Sequence, residues 1–296
     1  MARLIAIALG LALLGGVVFL ALTRPDRLTD DQVAQAAGDA ARGETLFWAG
    51  GCASCHAAPG ATGDAKRVLA GGHRLETPFG TFVAPNISPD PTHGIGAWSE
   101  RDFANAMRRG VAPDGRHYYP AFPYTEYARM DASDLSDLLA YIRTLPASGA
   151  PSADNELAFP FNVRRGVGLW KRLYLDADWV AAVGDDPLVR RGRYLVEGPG
   201  HCGVCHTPRD ALGGPDRARW LAGGPSPDGK GRVPGLTPAQ LEWSAEEIVE
   251  SLTSGFTPDY DSLGGAMADV VENTARLTQA DRDAIAAYLK ALPASP

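Results

Sequence analysis

Cys52-Ala53-Ser54-Cys55-His56 and Cys202-Gly203-Val204-Cys205-His206 decide the fold of this chain. They hold all four cysteines of the sequence, and each pair is followed at once by a histidine. That is the attachment signature of c-type haem. Two thiols one helical turn apart reach the two vinyl groups of one porphyrin as thioethers, and the adjacent imidazole then lies under the iron as proximal ligand. Each copy is expected to hold one covalent haem, Cys52, Cys55 and His56 serving the first and Cys202, Cys205 and His206 the second. Other uses of paired cysteines fit less well. A zinc ribbon sets its pairs about 15 to 20 residues apart, whereas these are 150 apart. A thioredoxin-like pair has no use for the histidine.

The motif is one part of a longer repeat. Arg42-Gly43-Glu44-Thr45-Leu46-Phe47 precedes the first copy and Arg191-Gly192-Arg193-Tyr194-Leu195-Val196 the second. Behind them, Leu69-Ala70-Gly71-Gly72 matches Leu221-Ala222-Gly223-Gly224, and Pro85-Asn86-Ile87-Ser88-Pro89 matches Pro234-Gly235-Leu236-Thr237-Pro238. Trp98-Ser99-Glu100 and Trp243-Ser244-Ala245 each open a segment with a serine N-cap, acids in the first turn and a closing glycine, Gly110 or Gly255, which predicts a helix. Leu138 to Pro146 corresponds to Ile285 to Pro293. Matched residues stay 145 to 152 positions apart, the mark of a duplicated domain.

Each half is about 110 residues, enough for one core. Strand signals are weak among 34 glycines and 23 prolines. Short helices joined by long Gly/Pro-rich loops make a poor core alone, so a buried porphyrin is expected to act as a structural element, leaving the haem-free protein unstable. Residues 35–147 and 187–294 are read as the two domains. The linker between them, 148–186, carries Phe159-Pro160-Phe161-Asn162 and Leu169-Trp170-Lys171-Arg172-Leu173-Tyr174, too aromatic for a free tether. It is expected to pack across both domains and fix their angle.

From Leu4 to Leu22 the chain has 19 residues without a charge, long enough to cross a bilayer. A cleaved signal peptide has a shorter apolar core ending at a small-x-small site. This run ends Phe19-Leu20-Ala21-Leu22-Thr23-Arg24-Pro25, with no such site, so residues 1–25 are read as an uncleaved transmembrane anchor, cleavage being the alternative. Because c-type haem is attached outside the inner membrane, both haem domains are expected in the periplasm. The formal net charge of −7 argues against a nucleic-acid partner and for contact with basic proteins.

Each half resembles a class I cytochrome c domain. The whole is similar to the cytochrome subunit of membrane-bound alcohol and gluconate dehydrogenases, shortened from three haem domains to two. The resemblance rests on Thr77-Pro78-Phe79-Gly80-Thr81, Pro85 to Pro89, Gly94-Ile95-Gly96-Ala97-Trp98-Ser99 and Tyr119-Pro120-Ala121-Phe122-Pro123-Tyr124 in the first half, and on Tyr194 to Gly200 and Thr207-Pro208-Arg209 in the second. It implies a mostly α fold of two tandem class I domains after one transmembrane helix. It also implies two covalently bound haem c groups and electron transfer rather than catalysis. The redox partners would be a donor dehydrogenase subunit and an acceptor oxidase, quinone or soluble cytochrome. The competing reading is a dihaem enzyme, a peroxidase or thiosulfate dehydrogenase, which needs one iron with an open sixth position.

The resemblance also points to sixth ligands. Met267 lies 24 residues after Trp243, in the Gly264-Gly265-Ala266 loop where class I domains present a thioether. The matching place in the first half is Phe122, which cannot bind iron. Met130, eight residues on, is the expected ligand there, with His117 or an open iron as alternatives; Met107 is read as core. Trp98 and Trp243 resemble the class I tryptophan whose indole N–H meets a haem propionate, plain packing being the other reading. Arg108, Arg109 and Arg116 are candidates to offset propionate charge, simple solvation being the other reading. His73, His93 and His201 are read as solvated loop residues.

Overall fold

The computed structural model describes residues 1–226, 229 and 231–294. The apolar run has no charge to solvate, so its backbone polar groups satisfy one another as α1 (Ala2–Leu22), none of whose side chains is buried. At 1.5 Å per residue it reaches about 30 Å, the hydrocarbon thickness of a bilayer.

The first domain runs α2 (Ala40–Ala49), α3 (Cys52–His56), α4 (Glu100–Arg109), α5 (Tyr124–Tyr127) and α6 (Ala132–Ile142). After α7 (Val167–Tyr174) in the linker, the second domain repeats this as α8 (Pro187–Glu197), α9 (Gly203–His206), α10 (Ala245–Ser254), α11 (Ala266–Thr274) and α12 (Gln279–Ala291). In each domain the first and last helices cross at a glycine. A Cβ on Gly43 would stand 2.0 Å from the Asp137 carbonyl oxygen, and one on Gly192 would stand 1.9 Å from that of Ala284. Only hydrogen there lets the helices touch. Charge pairs flank both crossings, Arg42 Nε with Asp137 at 2.7 Å and Arg191 Nε with Asp281 at 2.9 Å. Apolar residues on the facing sides fill the rest: Leu46, Phe47, Leu139 and Ile142 in the first domain, Leu195, Ile285, Tyr288 and Leu289 in the second.

α4 and α10 begin and end as their sequences predict. Ser99 Oγ accepts from the Asp102 amide and Ser244 Oγ from that of Glu247, both at 3.1 Å, while Gly110 (φ 57°) and Gly255 (φ 82°) close the helices in the left-handed region. Met107 packs into the core. Trp98 and Trp243, half-buried against it, are held the same way. The Trp98 carbonyl accepts from Arg143 Nη2 at 3.0 Å and the Trp243 carbonyl from Lys290 Nζ at 2.9 Å.

Strands do form, contrary to the weak strand signals. β1 (Arg74–Thr77) and β2 (Gly80–Val83) make a hairpin, to which the linker adds β3 (Glu156–Leu157). β4 (Gly224–Pro225) pairs with β5 (Arg232–Val233) in the second domain. Runs of two to four residues are too short for alternation to show.

The linker is tied to both domains. On the first, Asn86 Nδ2 donates to the Ser148 and Ala150 carbonyls at 2.7 and 2.8 Å, and Lys171 Nζ to those of Arg109 and Gly110, both at 2.6 Å. On the second, Trp170 Nε1 donates to the Leu212 carbonyl at 3.0 Å and the Tyr174 hydroxyl to Asp210 at 2.6 Å. The domains also touch directly: the Tyr194 hydroxyl donates to Asp134, Asn273 Nδ2 to Ser54 Oγ at 2.8 Å, and the Arg276 guanidinium lies 4.2 Å from the Trp48 ring centre.

Candidate functional site

Each cysteine–histidine motif is a short helical turn whose histidine is oriented by a proline carbonyl. His56 Nδ1 is 2.8 Å from the Pro85 oxygen, and His206 Nδ1 is 2.8 Å from that of Pro234. A carbonyl only accepts, so Nδ1 carries the proton and Nε2 keeps its lone pair. Burial lowers the pKa of both imidazoles and favours that neutral form. The backbone repeats the arrangement: the Gly71 amide donates to the His56 carbonyl and the Gly223 amide to that of His206, each at 2.7 Å. Gly71 (φ 76°) and Gly223 (φ 71°) have no room for a side chain. The proline loops are thus pinned under both motifs.

No two of the four cysteines form a disulfide. Cys52 and Cys202 are half-buried against the core, and burial pushes their thiols up to about 12. An apolar surround of this kind suits neutral thioethers. Among the described residues no three His, Cys, Asp or Glu side chains gather as a metal cluster. Two thiols and one lone-pair imidazole per cleft fit one haem c each. Haem held there would supply one-electron exchange at iron, and the chain itself would supply the attachment and the oriented imidazole.

Met130 is 1% exposed, just before α6, with its amide on the Tyr127 carbonyl at 3.0 Å. Burial raises the Tyr127 hydroxyl pKa well above its usual range, and the Tyr127 ring stands edge-on to His201, whose Nε2 meets the Gly50 carbonyl just before the first motif. Phe122 stacks edge-on to Tyr118, Tyr124 and Tyr127. Met267 is half-buried in the first turn of α11, after Gly265 (φ 59°). His117 is engaged elsewhere. Its Nε2 meets the Thr23 carbonyl at 2.9 Å and its Nδ1 meets Lys171 Nζ at 3.2 Å, so neither nitrogen is free.

Two other expectations change. His73 and His93 are exposed, but His201 is not a solvated residue. With φ 40° it turns back so that Nε2 meets the Gly50 carbonyl of the first domain at 3.2 Å, and its ring stands edge-on to Tyr127. The three arginines are engaged elsewhere: Arg108 with the Ala128 carbonyl, Arg109 with Asp26 and Arg116 with Asp114.

Sequence reasoning passed over a buried network. Glu197 is fully buried in the repeat position of Trp48. It accepts from the Val180 and Ala181 amides at 2.6 and 3.1 Å and from the Tyr288 hydroxyl at 2.6 Å. Tyr288 in turn accepts from Trp220 Nε1 at 3.0 Å. An acid on the inward face of α8 was the available signal. Trp220 also explains a difference between the motifs: a Cβ on Gly203 would lie 2.1 Å from its ring. We expect Gly203→Ala to cost about 1–3 kcal/mol through overpacking and the mirror change Ala53→Gly about 0.5–1 kcal/mol. Thermal unfolding of the two variants checks the order, and a milder Gly203→Ala would refute it.

The cytochrome c family profile matches residues 40–146 and 189–293, the two halves separately. The chain is 56% identical over 294 residues, 99% of both chains, to a "Diheme cytochrome c-type" protein of Cereibacter sphaeroides. It is 38% identical to the cytochrome c subunit of a quinone alcohol dehydrogenase of Gluconacetobacter polyoxogenes and 37% identical to the fructose dehydrogenase cytochrome subunit of Gluconobacter japonicus. Those matches cover 83% and 86% of this chain but 54% and 52% of the relatives, so it spans about half their length. With both halves matched and each motif histidine set on its proline carbonyl, the chain belongs to the cytochrome c family.

Proposed function

We propose that this chain is a membrane-anchored, periplasmic dihaem cytochrome c that relays electrons from a dehydrogenase subunit to the respiratory chain through quinone, an oxidase or a soluble cytochrome. One observation carries the relay: the two motifs adjoin across the domain interface. His201, directly before Cys202, meets the carbonyl of Gly50, two residues before Cys52, and Ser54 inside the first motif meets Asn273 of α11. Haems attached to adjoining motifs are near neighbours, which electron exchange requires. The named relatives support a dehydrogenase as donor.

In this reading Cys52, Cys55, Cys202 and Cys205 carry the thioethers, and His56 and His206 are proximal ligands. Met130 and Met267 complete the irons, and Trp98 and Trp243 reach the propionates. Strong ligands on both sides keep reorganisation small, as a carrier needs, whereas an enzyme needs one open iron. Intact-protein mass spectrometry should give the polypeptide plus two haems that survive acid–acetone extraction. At neutral pH, carbon monoxide added to the reduced protein should leave the Soret band unmoved. A single retained haem would sink the dihaem reading, and a shifted Soret band would sink the inert relay.

A further inference from the structure

We propose that the linker face from Phe159 to Leu173 is a second membrane-contact surface that lies in the headgroup layer of an anionic phospholipid bilayer. It rests on the membrane-anchor reading, and what sets its depth is where α1 ends. Arg165 Nη2 donates to the Leu20 carbonyl at 2.9 Å, Arg165 Nε to Thr23 Oγ1 at 2.8 Å and Arg172 Nε to the Leu22 carbonyl at 2.5 Å. If α1 spans the hydrocarbon, these guanidinium groups stand where hydrocarbon gives way to phosphate.

Charge and apolar exposure on this stretch agree. Between Leu157 and Leu175 the chain has no Asp or Glu but carries Arg164, Arg165 and Arg172, with Lys171 turned inward and buried, against a net charge of −7 overall. The arginines bond to carbonyls, a hydroxyl and the Tyr119 ring rather than to carboxylates, so their charge remains available to phosphate. Arg116, His117, Arg164 and Arg165, with Asp114 paired to Arg116, line a cavity of about 360 Å³ beside the helix end. The same stretch carries exposed apolar side chains: Phe159 is 80% exposed and Leu173 67%, and Val163, Leu169 and Phe161, the last packed on one side against Phe79, are exposed too. Arginines flanked by aromatic and aliphatic side chains suit the boundary between headgroups and acyl chains. Because the same linker is bonded to both domains, such a surface would hold the haem domains against the bilayer rather than leave them swinging on one helix.

All native cysteines lie in the two motifs, so a single added cysteine, Phe159→Cys or Leu173→Cys, can carry an environment-sensitive fluorophore on the full haem-loaded chain. In vesicles containing phosphatidylglycerol, both labels should lose at least half of their emission to doxyl-lipid quencher and be shielded from iodide in solution. Quenching should be about twofold weaker in purely zwitterionic vesicles, and Arg164→Gln with Arg172→Gln should remove that lipid dependence. A chain that pellets with vesicles while both labels stay open to iodide overturns this surface and leaves the anchor standing. Shielding that appears only when a protein partner is added also overturns it, as does quenching indifferent to anionic lipid. A chain that does not pellet at all overturns the anchor and this surface together.

Discussion

Met130→Ala is expected to remove the weak red-edge charge-transfer band of His/Met ferric haem from one haem, about half of the total band, and Met267→Ala to remove the other half. Each variant should open one reduced haem to carbon monoxide and lower that haem's potential, since thioether ligation raises it. The expectation for Met130 rests on its place. Phe122 lies among aromatic rings, Met107 is core and both nitrogens of His117 are bonded, whereas Tyr127, in the turn leading to Met130, stands against His201, which meets Gly50 just before Cys52. Absorption spectra and a redox titration of the two variants read the outcome. If Met130→Ala leaves both bands and both potentials unchanged, the first iron has another ligand or none, and the enzyme reading gains.

Glu197→Ala is expected to destabilise the folded protein by about 3–5 kcal/mol, because it strands several buried groups at once. Two linker amides and the Tyr288 hydroxyl would lose their acceptor, and Arg129, 4.0 Å away with 4% of its side chain exposed, would lose one of its two nearby buried carboxylates, Glu126 on its own turn being the other. The Arg129 guanidinium keeps hydrogen bonds to the Thr125, Asp176, Asp178 and Glu197 carbonyls. Its charge would then face Glu126 and Asp176 without Glu197. Glu197→Gln, which retains an acceptor, should lose less. Unfolding followed by circular dichroism decides it, and a loss for Glu197→Ala below about 1 kcal/mol would mean that the network does not hold the linker.

Much of this protein was open to reading before folding was considered. The haem-attachment signature is confined to one helical turn, so both motifs and their histidines stand out in the chain. Helix ends are equally local: Ser99, Gly110, Ser244 and Gly255 announce α4 and α10 because caps are satisfied within three or four residues. The duplicated pattern showed two domains, and the uncharged run from Leu4 to Leu22 showed a helix of membrane length.

Other features were settled only by partners far away in sequence. β3 exists because Thr81 finds Glu156 across the fold. His201 resembles any loop histidine until Gly50, 151 residues earlier, supplies its acceptor. His117 was a credible iron ligand by type and position, and only the approach of Thr23 and Lys171 takes both its nitrogens. Glu197 stands where the other half has Trp48, and whether an acid is tolerable there depends on amides from the linker and a hydroxyl from α12. Sequence by itself determined the haem-attachment signature, the helices and the duplication, because spacing along the chain sets each of them. Tertiary structure decided how the two halves meet and which polar groups are occupied, because a buried hydrogen bond depends on which distant groups the fold brings within about 3 Å.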